Sequence, residues 1–319
     1  MMHSTTAEVW FRPDPAEDRF LPEGPRQCAD GAIVWVCIQQ HRASHAGTIQ
    51  IRETASHAVS RYTLPGRPGF VLPTHRSHLL FVSCENTLGI YNTLRKSYRP
   101  LVIVPDMHPR AIINDAEPLP DGSGIVFGTK DTALKQPIAK LYLYTLSDNA
   151  VTVLASGFTC SNGKVFRSDG TLLDIDTPAK QVRAYTLDIA KRTLDDRGVV
   201  LDLTHRNDYP DGMIATADDE LLIAFYNPEF ARAGQAIRFR IPTGEILETI
   251  DLPGSPRVTC PLLALIDHQP KLIFTTAVEG MTADMQANCP NAGALFIAPF
   301  RGDFGKTKTI PLQLHPDYS

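Results

Sequence analysis

The chain has 319 residues, 43% of them hydrophobic and 21% charged, which is enough apolar sequence to bury a large core and excludes a wholly disordered polymer. Its formal net charge of -4, with no sustained Lys/Arg run, offers nucleic acid or an anionic membrane nothing to hold, so the expected partners are small molecules. No stretch is apolar for long enough to mark a membrane-spanning helix.

The start, MMHSTTAEVW, lacks a positive region followed by an apolar stretch, and a cytoplasmic location is expected. AEVWFR (7–12) then reads as a strand ahead of a recurring unit, in which a turn leads into an apolar, β-branched run. The runs are CADGAIVWVCI (28–38), THRSHLLFVSC (74–84), LPDGSGIVFGT (119–129), RSDGTLLDIDT (167–177), ADDELLIAFYN (217–227) and DHQPKLIFTTA (267–277). Their turns begin near Asp30, Arg76, Asp121, Asp169, Asp218 and His268, at spacings of 46, 45, 48, 49 and 50 residues. A period of that length marks a repeat architecture. Within each unit the apolar residues alternate or run in short blocks, which is strand spacing. The 25 prolines and 21 glycines are spread evenly, leaving little room for long helices. The expected fold is all-β, a six-bladed β-propeller formed as one domain over residues 1–319, with the first strand of each blade lining a central channel. ALFIAPF (294–300) and KTIPLQL (308–314) follow the last unit, and the two ends of the chain are expected to meet, an N-terminal strand completing the final blade.

Four units share a polar residue seven positions before the turn aspartate: Glu23 before Asp30, Asn114 before Asp121, Asn162 before Asp169 and Asp211 before Asp218. Glycine follows three of them, and Asp115 follows Asn114. One Asn-Gly or Asp-Gly pair is an ordinary turn. Four in one register converge if the units surround an axis, bringing two carboxylates and two amides together. Oxygen-only donors suit one divalent cation, with Ca2+ expected and Mg2+, Mn2+ or Zn2+ as the other candidates. Four protein ligands would leave positions open for water and substrate.

The motifs LPEGP (21–25), IINDAEPLPDGSGIVFGT (112–129), SNGKVFRSDGTLLDIDT (161–177), PDGMIATADDELLIAFYN (210–227) and EGM...CPNAGALFI (279–297) resemble the senescence-marker-protein-30, gluconolactonase and luciferin-regenerating-enzyme family. The resemblance implies a metal-dependent lactonase, with Glu23, Asn162 and Asp211 as metal ligands and Asn114 beside substrate. Two departures stand out. The family's R-x-N-D-G motif reads Arg110-Ala-Ile-Ile-Asn114-Asp115-Ala116, so Ile112 holds the arginine position; the glutamate after the GT motif is replaced by Lys130, Asp131, Thr132 and Ala133, of which Lys130 or Asp131 could substitute.

The function expected is ring opening of a sugar lactone or similar lactone, with the metal polarising the carbonyl for attack by water. Asp211 is the first candidate for the base and Glu23 the second; Asn114, Asp115, Arg110 and Asp131 are the candidate substrate contacts. The alternatives are a metal-dependent esterase or phosphotriesterase on a non-sugar substrate, and a calcium-binding propeller without turnover. A monomer or weak homo-oligomer is expected. The His41/His45 and His75/His78 clusters read as solvated loops, and His108 and His205 as candidates for the pocket rim. GSGIVFG (122–128) enters a strand, not a helix, so it is no dinucleotide fingerprint. No CxxC pair occurs among Cys28, Cys37, Cys84, Cys160, Cys260 and Cys289, so free thiols are the default, with a Cys28–Cys37 bridge as the alternative in an oxidising setting.

Overall fold

The computed structural model describes residues 3–302 and 311–314. Their strands form six sheets, four of them built wholly from consecutive antiparallel strands and two joined by a strand from the N-terminus, and the architecture is a six-bladed propeller. In blade 1 the order from the hub outward is Pro22–Gln27, Ile33–Cys37, Thr48–Arg52 and Val59–Thr63. The innermost strands of blades 2 to 6 are Val71–Pro73, Ala111–Pro118, Ser161–Phe166, Tyr209–Ala217 and Val258–Ile266. Each of the six repeat turns falls between the first and second strand of its blade, as the period requires.

The second strands are buried on both faces, which is why they read as unbroken apolar runs. Ile33 and Trp35 pack toward blade 6 with Leu262, Ile273 and Leu295, while Val34 and Val36 pack toward blade 2 with Val71, Leu80 and Val82. Phe81 with Phe127 and Tyr142 joins blades 2 and 3, and Val126 with Leu172 joins blades 3 and 4. Leu173 with Ile223 joins blades 4 and 5, and Leu222 with Phe274 joins blades 5 and 6. Six such interfaces close the circle. The outer strands carry polar, exposed positions, as in Val59–Thr63 and Thr193–Asp202.

The last blade draws its outermost strand from the other end of the chain. Glu8–Phe11 pairs antiparallel with Leu295–Pro299, placing Val9 opposite Phe296. Phe11 meets Trp35 edge-on with ring centroids 5.6 Å apart, and the Arg52 guanidinium lies 4.0 Å from the Trp10 ring centroid, so the clasp also grips blade 1. Two features depart from the sequence reading. His3–Thr6 runs parallel to Glu245–Pro253 as a fifth strand of blade 5. The described part of KTIPLQL does not meet the N-terminus: Leu312 bridges Thr74, and Leu312 and Leu314 bury themselves in the interface of blades 2 and 3; residues 308–310 lie outside the described residues. All six cysteines are free. Among the described residues no helix is long and apolar enough to cross a membrane.

Deleting residues 1–12 strips the clasp and leaves an open edge on blade 6. The melting midpoint is expected to fall by roughly 10 °C or more, since each kcal/mol lost shifts a chain of this size by a few degrees. A scan of circular dichroism against temperature checks this.

Candidate active site in the central channel

The four polar positions lie on innermost strands of blades 1, 3, 4 and 5, each at a break in the ladder. Pairing with the second strand slips between Glu23 and Arg26, Ile113 and Ala116, Asn162 and Val165, and Pro210 and Met213. At each slip the inner strand carries one more residue than its partner. Such bulges turn side chains and carbonyls out of the ladder. Glycine makes two of them accessible, because Gly24 and Gly163 have φ of 54° and 44°, which L side chains rarely adopt.

The convergence is direct for two members: Asn162 Nδ2 donates to Asp211 Oδ1 across the blade 4 to blade 5 step, and also to Thr177 Oγ1 at 3.3 Å. Asn162 Oδ1 accepts from the Gly163 N–H at 3.1 Å. Asn114 Nδ2 donates to the Ser161 carbonyl at 3.1 Å, while Asn114 Oδ1 takes no hydrogen bond from the described residues. Glu23 Oε2 accepts from Gly24 N–H at 3.0 Å, and Asp115 Oδ1 from Ala116 N–H at 2.8 Å.

Electrostatics bind the remainder into one group. Burial raises the Glu23 carboxyl well above the usual range, and the charges of Asp211 and Asp115 raise it further, against Lys130. Asp211 is also raised, first by burial and then by Asp115 and Glu279, with Lys130 and the Asn162 hydrogen bond opposing. Cys260 is pushed up by burial and by Glu23 and Asp115, and the Tyr226 hydroxyl, raised chiefly by burial, donates to the Glu279 carbonyl at 2.9 Å. Like charges held together in a low-dielectric hub disfavour ionisation unless a cation offsets them.

Among the described residues no three His, Cys, Asp or Glu side chains are placed to hold a metal ion, and the oxygens offered at the hub include those of asparagine. Glu23, Asp211 and the amides of Asn162 and Asn114 form a hard-oxygen set, and the unfilled Asn114 Oδ1 is a donor awaiting a partner. This chemistry fits Ca2+ or a similar divalent ion.

Arg110 and Asp131 sit together, away from this pattern of pairing. Asp131 is fully buried; both of its oxygens take the Arg110 fork at 3.1 Å and the backbone N–H groups of Ala133, Lys135 and Gln136. Its acceptors are filled by its own loop. The sequence reading allowed Lys130 or Asp131 in place of the missing glutamate and took Asp131 as the substrate contact. Strand alternation separates them, and Lys130 is the one in electrostatic reach of Glu23 and Asp211. Glu279 and Cys260 were not singled out as site residues, since neither belongs to the repeated polar position.

Beyond the bulges, toward the strand 1 to strand 2 turns, lies a cavity of about 390 Å³ lined by Arg26, Glu117, Lys164, Met213, Leu262 and Leu263 among others. Its charges are internally matched. Arg26 holds Glu117 at 2.9 Å, and the buried Lys164 holds Asp174 at 3.1 Å. Reactive groups without a fixed counter-ion lie at the bulges.

A family model for the SMP-30/gluconolactonase/LRE-like region matches residues 21–278. Regucalcin of Danio rerio is 30% identical over 190 residues, which span 59% of this chain and 62% of that relative. YvrE of Bacillus subtilis (strain 168), a provisionally named sugar lactone lactonase, is 25% identical over 70% of this chain and 77% of its own length. A solved structure described as a calcium-binding protein, regucalcin from Agrobacterium tumefaciens, superimposes with a TM-score of 0.80 at 18% identity, covering 98% of this chain and 100% of that one; at that identity it shows the shared fold.

Two outcomes are expected. Saturating Ca2+ raises the melting midpoint of the wild type, by about 2.7 kcal/mol of stability at a hundred times Kd, and Asp211→Asn abolishes the rise while leaving the metal-free protein at least as stable, because one of two repelling charges is gone. Thermal melts with Ca2+ and with chelator read both. Separately, hydrogen bonds outweigh burial and draw Asp131 down to about 2, below the unfolded value of about 3.9. Its stabilisation is therefore full above pH ~4 and lost as pH falls through about 2. Asp131→Ala should cost about 2 kcal/mol at pH 7, with the gap to wild type closing at acid pH in urea titrations.

Proposed function

Because the chain belongs to the SMP-30/gluconolactonase/LRE-like family, we propose that it is a metal-dependent lactonase, a carboxylic-ester hydrolase that opens a sugar lactone or similar lactone by attack of water. The observation that carries this reading is the pairing of Asn162 with Asp211 across the hub, beside a second raised carboxylate, Glu23. Glu23, Asn162 and Asp211, with Asn114 adjoining, would hold one divalent ion, Ca2+ first. When bound, that ion supplies Lewis-acid polarisation of an ester carbonyl and offsets oxyanion charge.

The chain's own residues do the rest. Asp211, aligned by the Asn162 amide, takes the proton of the attacking water, and Glu23 is the second candidate for that role. Asn114 and Asp115 form the bulge of blade 3 and in this reading hold substrate hydroxyls. Arg110 and Asp131, engaged with one another, shape the 131–138 loop in this reading and leave substrate to the hub residues.

That same engagement favours a second reading. With Arg110 and Asp131 withdrawn from hydroxyl recognition, a non-sugar ester or phosphotriester becomes the competing substrate class. Rates on sugar lactones against aryl esters and phosphotriesters separate the two. For the lactonase itself, acid release is followed on glucono-δ-lactone with and without chelator. Asp211→Ala is expected to lower kcat by roughly a hundred- to ten-thousandfold, and chelator to do the same; turnover unaffected by either treatment sinks the proposal.

A further inference from the structure

Lys130 stands on the second strand of blade 3, Gly124–Asp131. It lies directly opposite Ile112 on the innermost strand and forms an isolated antiparallel bridge to Cys160, two residues before Asn162. Directly opposed residues of an antiparallel pair share a face, so the Lys130 side chain projects on the Cys160 side, where Asn114 Nδ2 lies 3.8 Å from Cys160 Sγ. The neighbouring Asp131 projects the other way, into the Arg110 fork.

Other cations around the channel are committed: Arg26 to Glu117, Lys164 to Asp174, Arg110 to Asp131. Among the described residues no ion pair holds the half-buried Lys130. Its charge reaches Glu23, Asp211 and Cys160. A lysine side chain near two carboxylates, and held in an ion pair by neither, has its donors available to a substrate.

We propose that Lys130 is the general acid of the reaction, protonating the ring oxygen as the lactone opens. This rests on the lactonase reading above. Water's oxygen bonds to the carbonyl carbon and its proton passes to Asp211; the bond from that carbon to the ring oxygen breaks, and the ring oxygen takes a proton from Lys130. Asp211 then returns its proton to the Lys130 amine, restoring both groups and leaving a hydroxy acid. Acid help of this kind matters in proportion to the basicity of the leaving oxygen. An aliphatic alkoxide needs it and a phenolate scarcely does.

The test compares δ-valerolactone, whose leaving oxygen is an alkoxide, with dihydrocoumarin, whose leaving oxygen is a phenolate. Lys130→Met is expected to lower kcat on δ-valerolactone roughly a hundredfold and on dihydrocoumarin by less than about fivefold, with Lys130→Arg falling between. A merely structural role would lower both alike. Equal loss on the two lactones, or no loss on either, overturns the assignment of Lys130 while leaving the lactonase reading standing. If the wild type opens neither lactone, both fall together. Melting midpoints establish that the variants fold, and should Lys130→Met fail to do so, Lys130→Arg must show the same selectivity in smaller measure or the assignment is lost.

Discussion

Ring closure is the constraint on which everything else depends. Each second strand is apolar on both faces and is buried only if a blade stands on either side of it, as Ile33 and Trp35 on one face and Val34 and Val36 on the other require. A line of blades would leave two such faces wet; a circle leaves none. Closure needs a last pairing that the repeats do not supply, and Glu8–Phe11 supplies it against Leu295–Pro299. Once the circle is shut, corresponding residues of the innermost strands face a common axis.

That geometry lets the hub hold groups that would otherwise separate. Glu23 and Asp211 repel one another and lose water on burial, an arrangement that disfavours the fold by itself. The six apolar interfaces outweigh it. The bulges add a second effect by breaking the ladder at the very positions where polar groups must leave it. The buried polar groups sit where the sheets are locally irregular, and stability is supplied from the regular parts around them.

Charge placement divides the channel. Closed pairs such as Arg26–Glu117 and Lys164–Asp174 sit at the cavity and satisfy each other, leaving it little to offer a reacting bond. Around the bulges the Glu23 and Asp211 carboxyls are raised by burial and by neighbouring charge. The cavity and the polar bulges lie at different levels of the channel.

The repeat, the strand order within blades and the polar register of Glu23, Asn114, Asn162 and Asp211 were all legible in the sequence. They are local and periodic, set by alternation and by turn residues that recur at nearly constant spacing. The tertiary structure alone decided which of two adjacent residues, Lys130 or Asp131, shares the hub, and it spent Arg110 on Asp131. It also laid His3–Thr6 on blade 5 and Leu312 on blade 2. Those outcomes depend on the face a side chain takes in one strand and on the path of non-repeating segments. A period read along the chain carries no information about either, because partners joined across a closed ring are far apart in sequence and matched only by three-dimensional register.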